Sequence, residues 1–379
     1  MVERLQEIPL AMPDICEADI AAVERVLRSG RLALGPQTQA FEEALAARAG
    51  VRYAVAVNSG TSALHLIVRG MGIGPGDEVI TTPFSFISST NCILFERATP
   101  VFADIDPVTL CIDPVAVERG ITPNTKAILA VDVFGHPADW GVLERIAADH
   151  DLLLIEDSAE ALGSSLRGKP CGGFGHAGVF AFYPNKQITT GEGGAVLTND
   201  ETLASLARSM NDQGRGDGGW LNHVRLGYNY RIDEMSAALG CSQMSRLDEV
   251  VSQLATVAGW YEEALADIPD VATPIVGDGV EMSWFVYVIR LSRHRSRGNR
   301  DTVLRGLQQK GIGCRDYFQP IHLQPYIRQT LGTRPGQFPI TESTADRTIA
   351  LPFYTKLSQG DVDRVAGALR DLLRQGASA

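Results

Sequence analysis

One lysine, Lys186, stands between two apolar segments of the sequence. It follows AGVFAF at 177–182, and the glycine-rich stretch TTGEGG at 189–194 leads from it into GAVLTND. Such a lysine can be an ordinary surface residue, whose methylene stem packs on apolar groups while its amine reaches water. It can also be a Schiff-base lysine, because partial burial lowers the pKa of an amine that must be neutral to attack a carbonyl. Lys186 alone does not decide between these two interpretations.

An acidic residue, Asp157, ends the apolar segment LLLIED at 152–157. The carboxyl ends of parallel strands form the edge at which such sheets bind ligands. A carboxylate at that edge could keep the pyridine nitrogen of pyridoxal phosphate protonated, so that the ring acts as an electron sink. Alternatively, Asp157 could cap a helix in the segment that follows, SAEALG.

The segment NSGTSALHL at 58–66 has the composition of a phosphate-binding turn. Gly60 lets the chain turn closely after a strand, and Thr61 and Ser62 then begin a helix whose free backbone N–H groups can bind an anion. Many helices begin in this way without a ligand. The sequence contains neither G-x-x-x-x-G-K-[ST] nor a dinucleotide-binding glycine pattern after a strand, which disfavours a nucleoside triphosphate or dinucleotide cofactor.

Two aromatic residues, Phe84 and Phe86, alternate with small polar residues in TTPFSFISST at 81–90. One of these rings could lie flat on a planar cofactor, or both could belong to the core. In chain order, the sequence therefore offers a phosphate cup, an aromatic shelf, an acid and a lysine. Their joint occurrence is more specific than any one of them.

The elements that must position these residues alternate between strand and helix patterns. Short, nearly continuous apolar strands are predicted at 53–58, 77–83, 98–105, 125–135 and 151–157, with helices between several of them. This alternation predicts an α/β fold with a mostly parallel sheet that is covered on both faces.

After Arg231 the pattern changes to a long, almost unbroken helical stretch, followed by a strand, a helix and a terminal helix from Ser358. A chain of 379 residues exceeds what one hydrophobic core usually serves. We therefore predict a large domain at residues 1–247, which includes an N-terminal helical segment, and a smaller C-terminal α+β domain at residues 248–379.

Composition and charge exclude several classes of protein. A net charge of -11 and a pI near 5.2 argue against nucleic-acid binding. No segment reaches the roughly 20 apolar residues that cross a bilayer, and the acids and prolines near the N-terminus do not fit a signal peptide. The six cysteines form no C-x-x-C pair, so no metal site is predicted, and reduced thiols favour a cytoplasmic protein.

In its motifs, the chain resembles the fold-type I pyridoxal phosphate enzymes and, within them, the DegT/StrS family of sugar aminotransferases. The resemblance runs through nearly the whole chain, in FEEALAARAGVRYAVAVNSGTSALHL, GIGPGDEVITTPFSF, ATPVFADID, ITPNTKAILAVDVFG, LLLIEDSAEALGS, NKQITTGEGGAVLTND and RLGYNYRIDEMSAALG. It implies a seven-stranded, mostly parallel sheet in the large domain. It also implies pyridoxal 5'-phosphate (PLP) as cofactor, which alternates with its aminated form (PMP).

The resemblance also implies roles for the residues that match the family's motifs. Lys186 is expected to hold the cofactor as an imine, and Asp157 is expected to pair with its pyridine nitrogen. Glu160 is expected near the ring hydroxyl, and Phe86 is expected to stack on the ring.

A second set of matching residues is expected to hold the phosphate of the cofactor. Within one subunit this set comprises Thr61 and Ser62, after the turn at Gly60. Asn229, in GYNYR, matches an asparagine that reaches the phosphate from the neighbouring subunit. This last role implies a homodimer with shared active sites.

Two positions depart from the family's pattern. Ala181 stands in FAF where many relatives have a serine that touches the phosphate, so we expect one phosphate contact fewer. Asp132 stands in VDVFG where relatives usually have a histidine, so no role of that histidine is carried over.

The family implies L-glutamate as amino donor and a nucleotide-linked keto sugar as acceptor. The form NKQITTGEGG resembles the branch that aminates C4, which includes perosamine synthases, and predicts a 4-keto-6-deoxy sugar as acceptor. Related dehydratases replace the lysine by histidine, so Lys186 argues against that activity. His322, in QPIHLQPY, matches a histidine that can approach the sugar, or else it is a core or surface residue. A 3-keto sugar or keto-cyclitol acceptor, or a noncatalytic regulator that binds PLP, stays open as an alternative.

Overall fold

Strands and helices alternate through most of the chain in the computed structural model, which describes residues 7–219 and 221–375. The strands are β1 Tyr53–Val57, β2 Glu78–Thr81, β3 Thr99–Phe102, β4 Thr125–Val131, β5 Leu153–Asp157, β6 Ser165–Leu166, β7 Lys169–Pro170, β8 Ala177–Ala181, β9 Gly194–Thr198, β10 Val271–Ala272, β11 Val280–Glu281, β12 Tyr287–Leu291 and β13 Thr348–Leu351. The helices are α1 Glu17–Ser29, α2 Pro36–Ala49, α3 Gly60–Gly70, α4 Ser88–Phe95, α5 Pro114–Gly120, α6 Trp140–Asp149, α7 Glu201–Asn211, α8 Glu234–Met244, α9 Leu247–Leu265, α10 Arg297–Gln309, α11 Pro325–Leu331, α12 Pro339–Ala345 and α13 Gln359–Gln375.

The largest sheet has seven strands in the order β1-β9-β8-β5-β4-β2-β3. Only β9 runs antiparallel to its neighbours, so the predicted α/β fold with a mostly parallel seven-stranded sheet is confirmed. Alternate residues of β1 lie in different cores: Val55 and Val57 pack on the side of α3, while Ala54 and Ala56 pack on the side of α2. Both faces of the sheet are therefore buried, which explains the nearly continuous apolar strands.

The sheet brings the ends of four strands to one edge. In the register of the sheet, Val131 at the end of β4 pairs with Asp157 at the end of β5, which pairs in turn with Val179 of β8. Because β1, β4, β5 and β8 are parallel, the residues that follow them meet at this edge. Lys186 follows β8, and Asn58 follows β1, so the sequence motifs converge there.

A second core lies in the C-terminal part of the chain, around the sheet β10-β12-β13 and the helices α9, α10 and α13. Successive residues of β12 lie in different cores. Tyr287 and Ile289 lie in this second core, while Val288 packs against the large sheet. Ile8, close to the N-terminus, also lies in the second core. The division between residues 247 and 248 stays a prediction.

The long helical stretch predicted after Arg231 is divided into α8 and α9. The chain leaves the helical conformation at Arg246, whose guanidinium Nη2 donates to the carbonyl of Asp14 at 3.1 Å and to Asp19 Oδ2 at 3.3 Å. These bonds tie the junction to the N-terminal segment. Among the described helices, none combines the length and apolar character that a membrane span requires.

Candidate active site

Lys186 lies in the connection between β8 and β9, and its side chain is only 12% exposed. Its amine Nζ lies 3.6 Å from Glu160 Oε1 and 3.9 Å from the centroid of the Phe285 ring. Both the carboxylate and the face of the ring favour a cation at this position. The surface interpretation, in which the amine extends into water, is therefore wrong.

Burial and charge act in opposite directions on the pKa of Lys186. Burial lowers the pKa of its amine, while the charges of Glu160 and Asp157 raise it, and burial prevails. The pKa values of both carboxyls are raised by burial and lowered by the charge of Lys186, and again burial prevails. The three groups are thus electrostatically linked, and the neutral form of the amine is more accessible than that of an exposed lysine.

Asp157 is almost fully buried at the end of β5. Its Oδ2 accepts a hydrogen bond from the hydroxyl of Ser89 at 3.0 Å, and its Oδ1 accepts one from the backbone N–H of Ala159 at 3.2 Å. The segment after Asp157 forms turns instead of a helix, so the helix-cap interpretation is wrong. Both bonds favour the charged form of the carboxyl, which a protonated ring nitrogen requires as its partner.

Glu160 connects the lysine loop to the neighbouring strand ends. Its Oε2 accepts a hydrogen bond from the backbone N–H of Phe134 at 2.9 Å, which turns Oε1 towards Lys186. The side chain of Gln187 donates to the carbonyl of Glu160 at 2.7 Å and to the hydroxyl of Ser283 at 2.9 Å. The position of Lys186 is therefore fixed by its neighbour in the chain as well as by its own contacts.

The predicted phosphate cup forms the beginning of α3. The N-cap Ser59 accepts a hydrogen bond from the backbone N–H of Ser62 at 3.1 Å, and the hydroxyl of Ser62 donates to Asn58 Oδ1 at 2.7 Å. The hydroxyl oxygen of Thr61 lies 2.7 Å from that of Ser88. The hydroxyls are thus held in place, while the first N–H groups of the helix have no partner within it. Phosphate binding here stays a prediction.

Glycine is required where β9 passes the cup. A Cβ on Gly194 would lie 2.5 Å from the backbone nitrogen of Gly60, which is closer than any real contact of this kind. A Cβ on Gly60 would lie 2.8 Å from the Cβ of Ala181 at the end of β8. β9 therefore passes the start of α3 as bare backbone, and β8 approaches it with no side chain larger than the methyl group of Ala181.

The two aromatic residues of the predicted shelf have different environments. Phe84 is fully buried and packs edge-on against Phe134 and Phe318, with centroids 6.0 and 5.7 Å away. Phe86 is 62% exposed. Only Phe86 therefore has a ring face available for a planar ligand, in agreement with the choice implied by the family resemblance. Its stacking on a cofactor stays a prediction.

Asn229 is exposed on a short extended segment that lies against β1. Its carbonyl accepts a hydrogen bond from the side chain of Asn58 at 3.3 Å, and its backbone bridges to Asp212. The next residue, Tyr230, has its hydroxyl 3.1 Å from His65 Nδ1. The backbone is thereby fixed while the side chain remains on the surface, which suits the predicted contact with a neighbouring subunit.

His322 is a core residue in this chain. Its side chain is fully buried, its Nε2 lies 3.0 Å from Glu342 Oε1, and its ring packs edge-on against Phe338 at 4.7 Å. Burial lowers the pKa of the imidazole, while Glu342 raises it, and burial prevails. Contact of His322 with a substrate stays a prediction.

Three residues of the site were not found from the sequence. Ser89 donates to Asp157, Phe285 covers the amine of Lys186, and Gln187 anchors the lysine loop. Ser89 lies within the TTPFSFISST motif, so its hydroxyl could have been considered. Phe285 is separated from Lys186 by about a hundred residues of sequence, and no local pattern indicates their contact.

Asp132, at the position where relatives usually have histidine, belongs to a buried pair of acids beside the site. Its Oδ1 accepts a hydrogen bond from the Trp140 indole at 2.9 Å. The hydroxyl of Ser158 lies 2.7 Å from Asp132 Oδ2 and 2.6 Å from Glu156 Oε1, and it has one proton for these two oxygens. Burial and the charge of Asp132 raise the pKa of Glu156 well above its usual value, so the neutral form of Glu156 is favoured in the folded state.

Comparison with known proteins identifies relatives over the full fold. The sequence profile of the DegT/DnrJ/EryC1/StrS aminotransferase family matches residues 13–370. GDP-perosamine synthase of Caulobacter vibrioides is 40% identical over 334 residues, which cover 88% of this chain and 89% of that protein. Spore coat polysaccharide biosynthesis protein SpsC of Bacillus subtilis is 38% identical over 378 residues, which cover 97% of each protein.

Solved structures show the same architecture. The Streptococcus pneumoniae protein Spr1654 in its PMP form superposes with a TM-score of 0.94 at 27% identity, covering 98% of this chain and 99% of that chain. Its PLP form superposes with a TM-score of 0.93 at 28% identity and the same coverage.

The acid pair predicts a specific pH dependence of stability. Because the pKa of Glu156 is raised in the folded state above its unfolded value of about 4.3, the free energy of unfolding falls as pH rises from the unfolded value towards the raised pKa. Asp132→Asn preserves the hydrogen bonds and removes one charge, so the pKa of Glu156 decreases. We expect a flatter slope, by up to about 1.4 kcal/mol per pH unit.

Urea unfolding of wild type and Asp132→Asn from about pH 5 to about pH 8 measures this slope. Asp371→Asn, at an exposed position of α13, is the matched control and should follow the wild type. If Asp132→Asn and the wild type had equal slopes, the charge of Asp132 would not be what raises the pKa of Glu156.

Proposed function

The chain belongs to the DegT/DnrJ/EryC1/StrS aminotransferase family, and we propose that it transfers the amino group of L-glutamate to C4 of a nucleotide-linked 4-keto-6-deoxy sugar. At the level of the family, it is a sugar aminotransferase that uses PLP. The observation that supports a 4-keto acceptor is the NKQITTGEGG motif, together with the 40% identity to a GDP-perosamine synthase. A 3-keto sugar or a keto-cyclitol is the alternative acceptor.

The donor groups of the site fit PLP. A buried carboxylate, Asp157, matches the ring nitrogen, and the amine of Lys186 matches the carbonyl. The beginning of α3 offers backbone N–H groups to a phosphate, and Gly194 lets the neighbouring strand β9 pass close to that helix end without a side chain. When bound, PLP supplies an electron sink that stabilises negative charge on the carbon from which a proton is removed.

Lys186 performs two tasks in the proposed reaction. Its amine would hold the cofactor through the carbonyl group, and the same amine, once free, would remove and return a proton at the α-carbon of the donor. Proton transfer by a positioned side chain contributes typically about 10²–10⁴-fold. Glu160, 3.6 Å from Nζ, stabilises the ammonium that forms when Lys186 takes up the proton.

Asp157 and its partners maintain the charge that this chemistry needs. The Ser89 hydroxyl and the Ala159 N–H hold the carboxylate in one orientation, so that it can face a ring nitrogen. Phe285 covers one side of the Lys186 amine and limits the access of water to it. These contacts support general acid–base catalysis by Lys186 in a site of low polarity.

Replacing the lysine tests its catalytic role. Lys186→Ala should lower the steady-state rate of 2-oxoglutarate formation from glutamate by at least about 10²-fold, because the substitution removes the amine that would move the proton. Folding and noncovalent cofactor binding should persist, as measured by dialysis and visible absorbance. Lys169→Ala, which removes an exposed lysine paired with Glu144, is the control and should keep wild-type turnover. Wild-type rates in Lys186→Ala would disprove the assignment.

A panel of acceptors tests the proposed substrate. Holoenzyme is incubated with isotope-labelled L-glutamate and GDP-, dTDP- or UDP-linked 4-keto-6-deoxy sugars, with a 3-keto isomer and a keto-cyclitol in parallel. We expect the label in a 4-amino sugar product by mass spectrometry. If the label appeared only in the 3-amino sugar or only in the aminocyclitol, the proposed 4-keto acceptor would be wrong. The family-level activity of a sugar aminotransferase would still stand.

The shared active site has its own test. Asn229→Ala should weaken cofactor retention about 10–100-fold, the effect of losing one hydrogen bond to a charged group. Mixed dimers of Asn229→Ala and Lys186→Ala subunits should regain about half of the wild-type activity per dimer, because one site then has both residues intact. If Asn229 served its own subunit, the mixed dimers would gain no activity over the two parent variants.

A further inference from the structure

A cleft in the C-terminal part of the chain contains three arginines, Arg290, Arg293 and Arg347. Its volume is about 520 Å³, which is ample for a small-molecule ligand. It shares no lining residue with the pocket around Lys186. Within residues 7–219 and 221–375, the ion pairs of this region involve other arginines, and these three guanidinium groups have no carboxylate partner.

Two of the arginines are fixed by backbone carbonyls. The Nε of Arg347 donates to the carbonyl of Ser343 at 2.8 Å, and its Nη1 donates to the carbonyl of Leu291 at 3.0 Å. Arg290 donates through Nη1 to the carbonyl of Pro107. These contacts use only part of each guanidinium group, which has five N–H donors. The remaining donors are held in place before any ligand binds, which reduces the entropy lost on binding.

The electrostatic surroundings of the cleft favour an anion. Burial lowers the pKa of Arg290, and the positive charges of Arg347 and Arg293 lower it further. Burial and the charge of Arg293 likewise lower the pKa of Arg347. The acids that oppose this effect are Asp106, near Arg290, and Asp346, near Arg347, and neither forms an ion pair with them. The mutual repulsion of the arginines would be relieved by a bound anion.

A third acid near the cleft wall, Asp270, is engaged by groups outside the cleft. The carboxylate of Asp270 forms an ion pair with Arg295 at 2.5 Å and lies 3.1 Å from His294 Nε2, and the hydrogen bond from Arg295 holds the pKa of Asp270 below its usual value. Its carboxylate is therefore occupied by groups outside the cleft. Among the described residues, no carboxylate therefore forms a direct ion pair with the three arginines of the cleft, in a chain whose net charge is -11.

The rest of the wall combines hydroxyl and apolar groups. Ser292, Ser343 and Thr344 contribute hydroxyls. The apolar residues include Pro107, Pro269, Val271, Ala272, Pro339 and Ile340. Guanidinium groups bind phosphate oxygens through paired hydrogen bonds, and proline and aliphatic surfaces suit a flat ring. The cleft is thus matched to a ligand with several phosphate charges and one apolar body.

We propose that this cleft binds the diphosphate group of a nucleoside diphosphate through Arg290, Arg293 and Arg347, at a site separate from that of Lys186. The bound nucleotide would be a second molecule and would take no part in amino transfer. The proposal needs neither a sugar nor transamination, so it can fail or succeed independently of the proposed function.

Calorimetric titration of the PLP-loaded enzyme with inorganic pyrophosphate, GDP and UDP tests the proposal. We expect binding that weakens with added salt, and no comparable binding of guanosine or uridine. Arg293→Glu should weaken the binding of pyrophosphate and of both nucleotides at least tenfold. Arg293 is exposed, and its replacement disturbs none of the backbone bonds that fix Arg290 and Arg347.

Arg305→Glu is the matched control, because Arg305 is an exposed arginine on α10 outside the cleft, bonded to the Thr302 hydroxyl. It should bind pyrophosphate like the wild type. If the Arg293→Glu and Arg305→Glu variants bound pyrophosphate with equal affinity, the proposal that the cleft binds a diphosphate would be wrong. A KM for the keto-sugar acceptor that rises in Arg293→Glu but not in Arg305→Glu would overturn its separation from the catalytic site, and unchanged KM values would support that separation.

Discussion

The chemistry of this chain depends on the burial of one amine beside two carboxylates. Lys186, Asp157 and Glu160 are each nearly inaccessible to water, so each of them would be costly as an isolated charge. Burial raises the pKa of the two carboxyls and lowers the pKa of the amine, which favours the neutral form of each group. The attraction between the amine and the carboxylates shifts each pKa in the opposite direction. The result is a group of residues in which a proton can be gained or lost at modest free-energy cost. An exposed lysine would stay charged and could not act as a nucleophile, and a buried lysine without acids nearby could not be stabilised as a cation.

The sheet determines which residues can take part in this balance. Four parallel strands end at one edge, so side chains from distant parts of the sequence meet there without long loops. The single antiparallel strand, β9, enters at the same edge, and its first residue, Gly194, passes against the start of α3. A side chain at that position would collide with the backbone of Ser59 and Gly60. The glycine-rich motif after Lys186 is therefore explained by a close approach of backbones as well as by the needs of a ligand.

The sequence predicted the parts of this arrangement that follow from local patterns. The apolar strands and the residues at their ends, such as Asp157, could be found because a parallel sheet brings such ends together. The division of the helical stretch at Arg246 could not be found, because it depends on bonds to Asp14 and Asp19, more than two hundred positions earlier. For the same reason the contact of Phe285 with Lys186 left no local signal. The burial of His322 was also undetermined, since its sequence neighbours fit a core residue and a site residue equally well.

Strand periodicity explains where Arg290 points but not why it is an arginine. In β12, Tyr287, Ile289 and Leu291 lie in the second core, and the alternate residues Val288 and Arg290 face the other side. Val288, on the same side of β12 as Arg290, packs against the large sheet. The alternation of the strand would therefore also allow an apolar residue at position 290. An arginine there is partly buried, lacks a carboxylate partner among the described residues and lies near two further arginines. Because the three positive charges repel one another, such a cluster lowers the stability of the folded chain when no ligand is bound. A ligand that carries the opposite charge would offset that loss.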